Sequence, residues 1–187
     1  MFEVNAETVR DLLDYNPETG VFVWKVRDRK YCETDHGWKI VNGRDAGETA
    51  GSLNDDGYRY IKIFDKRYKA HRLAWLYVYG EWPKNQIDHI NNQRDDNRIE
   101  NLRDVIQSQN SMNATIQSGR TSQYKGVSWH KKTNKWRTQI TINGKCKHLG
   151  YFVSEEEAAR AYDRAALELY GIYANLNFPI EDYDLAA

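Results

Sequence analysis

The sequence predicts an α+β protein of two domains, and three observations across its 187 residues carry that reading. Helix and strand signals are interleaved along the chain, each bounded by turn residues. At residues 117–123, QSGRTSQ, a polar Gly/Ser-containing stretch separates two periodic regions. Charge is segregated as well. Residues 118–148 hold eight Lys/Arg and no Asp/Glu, whereas residues 149–187 hold eight acidic residues and two arginines. The formal net charge of zero therefore conceals one basic face, the footprint expected of a nucleic-acid binder.

The first element is a helix over residues 5–15. Asn5 is its N-cap, Val4 and Val9 stand at the hydrophobic-staple positions, Val9, Leu12 and Leu13 form its apolar stripe, and Asn16-Pro17 stops it. VFVWKV then reads as a strand after the Glu18-Thr19-Gly20 turn. Residues 27–56, rich in Gly, Asp and Asn, predict loops and short hairpins with a solvated basic surface. YRYIKIF alternates like a half-buried strand, Asp65-Lys66 turns it, and RYKAH returns. HRLAWLYVYG predicts a helix whose core side is Leu73, Leu76 and Val78 or Tyr77, ended by Gly80.

Beyond residue 123, YKGVSWH, KWRTQITI and KCKHLGYF predict three strands, with turns at Thr133-Asn134 and Asn143-Gly144. Ser154 and Glu157 make a capping box for a helix with Ala158, Ala161, Tyr162, Ala165 and Leu169 as its stripe and Gly171 as its stop. The predicted limits are a domain over 1–116, a linker over 117–123, a second domain over 124–178 and a tail over 179–187.

Composition narrows the class. With 40% hydrophobic residues the chain can fill a core, and no apolar run is long enough to span a bilayer. The two cysteines, Cys32 and Cys146, make no CxxC, which disfavours a disulfide framework or zinc ribbon and suits a reducing, intracellular setting.

Residues 86–113, QIDHINNQRDDNRIENLRDVIQSQNSMN, hold the chemistry-bearing pattern. Asp88 and His89 lie on a strand-like run, a polar loop follows, then Asn101, the strand-like LRDVI, and a helix beginning near Gln107 that carries Asn110. A neutral histidine can take a proton from water near neutral pH. The carboxylate of Asp88 and the amide oxygen of Asn110 are hard ligands that favour Mg²⁺ over zinc. The ordered set DHI, NRIENL and SQN resembles the HNH nuclease motif of the ββα-metal fold, in the variety found in phage and intron-encoded homing endonucleases. NPETGVFVWK resembles a segment often found ahead of phage HNH motifs and adds no chemistry of its own.

That resemblance implies His89 as general base, Asn101 as the residue bracing the loop that orients it, and Asp88 and Asn110 as ligands of one Mg²⁺, with Mn²⁺ as a substitute. Many family members have His where this chain has Asn110. Cleavage would leave 5′-phosphate and 3′-hydroxyl ends, in the cytoplasm of a bacterial host if the gene is phage-borne. His71, Arg72 and Arg94 are candidate phosphate contacts, each with an alternative as a packed or solvated side chain. Strand alternation sets Asp88 and His89 on opposite faces, so their joint action requires local distortion.

Residues 124–178 resemble the Apetala-type DNA-binding domain of plant ethylene-response factors, matched at Tyr124-Lys-Gly-Val, Lys135-Trp136, Leu149-Gly150-Tyr151-Phe152, the following helix and Asn175-Leu-Asn-Phe-Pro. Such domains lay a three-stranded antiparallel sheet, packed on one helix, in the DNA major groove. By position this implies Lys125, Ser128, His130, Lys135, Gln139, Thr141 and His148 as DNA contacts, with Trp129 and Arg137 as further candidates. Several of those places are Arg or Trp in the plant proteins, so the target sequence should differ. The expected partner is double-stranded DNA, bound by a monomer or homodimer without a membrane. A DNA-binding regulator with a decayed nuclease half is the alternative.

Overall fold

The structure, a computed structural model, describes residues 3–113, 121–142 and 144–183. It has two compact units, Met1–Val105 and Ile106–Ala187. The division thus falls ahead of the 117–123 stretch, and the helix carrying Asn110 belongs with the second unit.

In the first unit, α1 (Ala6–Leu12) is capped as predicted, the Asn5 Oδ1 accepting the Thr8 N–H at 2.9 Å. It is shorter than the predicted 5–15. Leu13 turns extended and opens β1 (Leu13–Asn16), which pairs antiparallel with β2 (Val21–Trp24). The reason is burial with period two: Leu13 and Tyr15 face the core, and Asp14 and Asn16 face water.

Residues 27–56 depart further from expectation. They form a 3₁₀ turn (Arg29–Tyr31) and α2 (Asp35–Asp45), whose N-cap Thr34 accepts the Gly37 N–H. None of the α2 residues is buried, so the helix has no apolar stripe to betray it in the sequence.

β3 (Ser52–Leu53), β4 (Arg59–Ile63) and β5 (Lys66–Lys69) make an antiparallel sheet with β4 in the middle. Its second turn is at Phe64 (φ 54°) and Asp65, one residue ahead of the predicted Asp65-Lys66. α3 (Ala70–Tyr79) ends at Gly80 in the left-handed conformation. It buries Ala70, His71, Leu73, Ala74 and Leu76, with Tyr77 half-buried. Val78 is not core. It is 39% exposed, because the inward stripe runs through 70, 73, 74 and 77 at helical spacing. α1, the sheets and α3 enclose one core that includes Val9, Phe22, Ile61, Ile63 and Leu73. Against it lie β6 (Gln86–His89) and its antiparallel partner β7 (Leu102–Val105).

The second unit starts with α4 (Gln107–Asn113). Then come β8 (Val127–His130), β9 (Lys135–Ile142) and β10 (Lys145–Phe152), a three-stranded antiparallel sheet with β9 central. Asn134 takes φ 47° in the first turn and Gly144 φ 76° in the second, while Asn143 lies outside the described residues. α5 (Glu155–Tyr170) is capped by Ser154, whose Oγ accepts the Glu157 N–H, and closes at Gly171.

The buried face of α5 is Ala158, Ala159, Tyr162, Asp163, Ala166 and Tyr170. Ala161, Ala165 and Leu169, which the period placed inward, are only half-buried. An acidic residue turns the face. Asp163 is fully buried because its carboxylate accepts the N–H groups of Asn177 and Phe178 and the hydroxyl of Tyr183. Among the described residues, no helix is long and apolar enough to cross a membrane.

Candidate active site and nucleic-acid interface

β6 is buried at three of its four positions, so both of its faces are covered. Asp88 and His89 stay on opposite faces, and the β6–β7 register runs without a shift. No distortion brings them to one side. On one face Asp88, opposite Arg103 of β7, accepts from its guanidinium: Nε lies 2.8 Å and Nη2 2.7 Å from Oδ2. Both side chains are nearly out of water, so this is a buried ion pair. On the other face the His89 ring lies 5.0 Å from His71 and 5.9 Å from Tyr58, centroid to centroid. Burial lowers the His89 pKa, opposed by its interaction with the Asn97 side chain and by the Asp88 carboxylate. The imidazole is therefore held neutral at neutral pH, the form able to accept a proton.

Asn101 lies at the end of the loop that follows β6, just ahead of β7. Its side chain accepts the Asn91 N–H at 3.0 Å and donates to Asn91 Oδ1 at 3.0 Å and to the Asp96 carbonyl at 2.8 Å. Asp96 in turn takes Arg98 Nε and Nη2, a pairing that lowers its pKa to about 2. The loop over 90–101 is thus tied at both ends. Asn97, buried within it, bonds back to Asp95 and is held from outside by the Tyr15 hydroxyl on its carbonyl. Neither Asn97 nor Arg103 is among the residues singled out from the sequence. Asn97 lies in NRIENL beside other amides, and the register that puts Arg103 opposite Asp88 is hidden by the long loop between the strands.

The three candidate phosphate contacts fare differently. His71 is 5% exposed, edge-on to Tyr58, and burial pushes its pKa down to about 3. It packs as a core ring, the alternative that the sequence reading also gave it. Arg72 donates to the carbonyls of Asn85 and Pro83, and Arg94 to that of Asp56 while lying over the Tyr58 ring. Both remain at the surface. Among the described residues, no three His, Cys, Asp or Glu side chains gather into a metal cluster. The oxygen donors near the motif include the carboxylate of Asp88 and the side-chain amides of Asn91 and Asn101, groups suited to a hard, oxygen-seeking cation. Asn110 stands on α4, in the second unit.

In the second unit, alternation gathers most of the predicted DNA contacts on the sheet face opposite α5. Ser128 and His130 of β8 pair with Arg137 and Lys135 of β9, and Gln139 and Thr141 continue that face. His148 pairs with Gln139 on β10. Two predicted contacts are elsewhere. Trp129 pairs with Trp136 on the face that also buries Val127, its ring edge-on to Trp136 at 5.1 Å. Lys125 turns inward, its ammonium donating to the Met112 carbonyl at 2.6 Å, and burial lowers its pKa to about 8.

Tyr151 was not predicted. A register shift between His148 and Gly150 brings it opposite Arg137, onto the outer face, where its ring lies 4.7 Å from His148 and 5.1 Å from His130. A bulge breaks the period-two rule, and Gly150 is the signal for it.

Residues 68–112 match the family model of the HNH endonuclease, and residues 122–172 match that of the AP2 domain. APETALA2-like protein 2 of Oryza sativa subsp. indica is 45% identical over 65 residues, covering 35% of this chain and 15% of that protein. The AP2-like ethylene-responsive transcription factor PLT2 of Arabidopsis thaliana is 32% identical over 135 residues, 68% of this chain and 24% of that one. The chain therefore spans a small part of these plant relatives.

A solved structure titled "DNA binding and cleavage by the HNH homing endonuclease I-HmuI" covers 86% of this chain and 82% of its own. Its identity is 19% and its TM-score 0.41, too low to carry weight here. Residues 68–112 are thus similar to an HNH endonuclease and residues 122–172 to an AP2 domain.

Proposed function

We propose that the protein is a site-selective DNA endonuclease that hydrolyses phosphodiester bonds with one divalent metal ion. His89 is the general base, Asn101 braces its loop, and Asp88 and Asn110 hold the metal. The outer face of the β8–β10 sheet, through Ser128, His130, Lys135, Arg137, Gln139, Thr141 and His148, contacts double-stranded DNA. Functionally, residues 1–116 cut and residues 124–178 select the site. Arg72 and Arg94 remain candidate phosphate contacts. One observation carries the reading: a buried, neutral imidazole at the end of β6, beside a loop that Asn101 ties down.

Such an imidazole takes the proton of an attacking water. A bound divalent cation, Mg²⁺ by the donor chemistry and with Mn²⁺ as a substitute, would supply charge neutralisation at the phosphate and the departing 3′ oxygen. The products would be 5′-phosphate and 3′-hydroxyl ends, released by a monomer that nicks or a homodimer that cuts both strands.

The test is cleavage of supercoiled plasmid in Mg²⁺ and in EDTA. The expected result is nicking by the wild type in Mg²⁺ only, and a loss of about a hundredfold or more in His89→Ala, the range set by a general base. Activity persisting in His89→Ala would remove the base assignment. A second reading, a DNA-binding regulator, is favoured by the Asp88–Arg103 pair, which already gives the would-be metal carboxylate a cation. Plasmid retarded on a gel but uncut in Mg²⁺ and Mn²⁺ selects it.

A further inference from the structure

The helix that bears Asn110 is built into the DNA-binding unit. Met112 of α4 packs against the core of Ile140, Tyr162, Ala166 and Tyr170, where Ile140 comes from β9 and the others from α5. The carbonyls of Met112 and Asn113, the last described residues of α4, are taken by two residues further along the chain. Lys125 Nζ donates to the Met112 carbonyl at 2.6 Å, and Asn175 Nδ2 donates to the Asn113 carbonyl at 3.1 Å.

Lys125 is itself pinned. Its N–H donates to Asn177 Oδ1 at 2.6 Å, its carbonyl accepts from Asn177 Nδ2 at 3.2 Å, and Asn177 is held by buried Asp163 of α5. The neighbouring Gly126 carbonyl accepts the Gln139 N–H of β9 at 2.9 Å and the Thr138 hydroxyl at 3.2 Å. Hydrogen bonds therefore run from the central strand of the sheet through Gly126 and Lys125 to the end of α4. By position Lys125 is a DNA contact in the sequence reading. Its geometry gives it another task.

We propose that Lys125 and Asn175 are positioning residues that tie down α4 and hold Asn110 in register with the DNA-reading sheet. The role of Asn110 in metal binding rests on the endonuclease reading above; the tie itself does not. The consequence is that α4 owes part of its order to the AP2 domain. Metal use then depends on a lysine that touches neither metal nor DNA.

Full-length Lys125→Met, Lys125→Arg and Asn175→Ala decide this by three readouts. Amide hydrogen exchange over residues 107–113, without metal or DNA, should quicken roughly tenfold or more in Lys125→Met, by a smaller factor in Asn175→Ala, and recover toward wild type in Lys125→Arg, since a charge-assisted bond is lost or kept. The Kd for duplex DNA in EDTA should change less than about twofold, because no phosphate contact is removed. The Mg²⁺ concentration for half-maximal nicking should rise several-fold in Lys125→Met.

DNA binding weakened about tenfold, with exchange over 107–113 unchanged, would overturn the proposal and return Lys125 to the DNA interface. Should Lys125→Met fail to fold, Asn175→Ala decides on the same terms. A wild type that never nicks would refute the endonuclease reading alone, and exchange would still decide whether Lys125 and Asn175 hold α4.

Discussion

In the N-terminal unit the buried Asp88–Arg103 pair, His71 and His89 each have a measurable signature. Arg103→Leu would leave the Asp88 carboxylate buried without its cation, which costs about 3 kcal/mol in sites of this kind and should show as a lower urea midpoint. A midpoint equal to wild type would mean that water reaches Asp88 and the pair is ornamental. His71 has its pKa pushed from 6.5 to about 3 by burial. The unfolded chain therefore binds a proton more readily than the folded one between those values. Stability from this group is complete above pH 6.5 and drains away as pH falls toward 3. The loss of unfolding free energy between pH 7 and pH 5 should thus shrink in His71→Phe; an unchanged loss would place the titration elsewhere. His89 is shifted in the same direction, so cleavage should stay level down to about pH 6.5 and decline only below it. An acidic limb centred above pH 7 would argue that another group takes the proton.

Among the elements, the turn between β1 and β2 does more than its sequence suggests. The NPETG segment packs against the loop between β6 and β7: the Ile99 N–H donates to the Pro17 carbonyl, and a Cβ on Gly20 would lie 2.5 Å from Arg98 N and from the Asn97 carbonyl carbon. Gly20 also has φ 73°, so alanine there meets both backbone strain and collision. Gly20→Ala should cost about 2–4 kcal/mol in stability. Below its unfolding temperature it should also slow nicking at least roughly tenfold, because the displaced residue is the Asn97 that sits beside His89. A stable Gly20→Ala with the wild-type rate would separate the turn from the site.

None of this was legible in NPETG alone, since the collision depends on a loop nearly eighty residues away. What was legible had local causes: the Asn5 and Ser154 caps, the three C-terminal strands, and Asp88, His89 and Asn101 in their order. What was missed came from partners. α2 buries nothing and so shows no period; Asp163 turns α5 through bonds from Asn177 and Tyr183; and the bulge at Gly150 carries Tyr151 to the outer face.

For the whole molecule, a formal net charge of zero means that attraction to DNA must come from where the charge is placed. Lys135 and Arg137 lie on the outer sheet face, Lys131, Lys132, Lys145 and Lys147 flank it in exposed positions, and the first turn of α5 on the other side carries Glu155, Glu156 and Glu157. Each lysine or arginine seated on a phosphate adds about 0.9 to the slope of log affinity against log salt on duplex DNA. Replacing both Lys135 and Arg137 with glutamine should therefore flatten that slope by up to about 1.8. Between roughly 50 and 200 mM salt this can be read by fluorescence anisotropy in EDTA, where cleavage does not interfere. Lys125→Met provides the internal contrast, because its ammonium lies against the Met112 carbonyl and should leave the slope as it is. If instead Lys125→Met flattens the slope while the double variant does not, the basic sheet is a solvated face and DNA is held by a different surface of this chain.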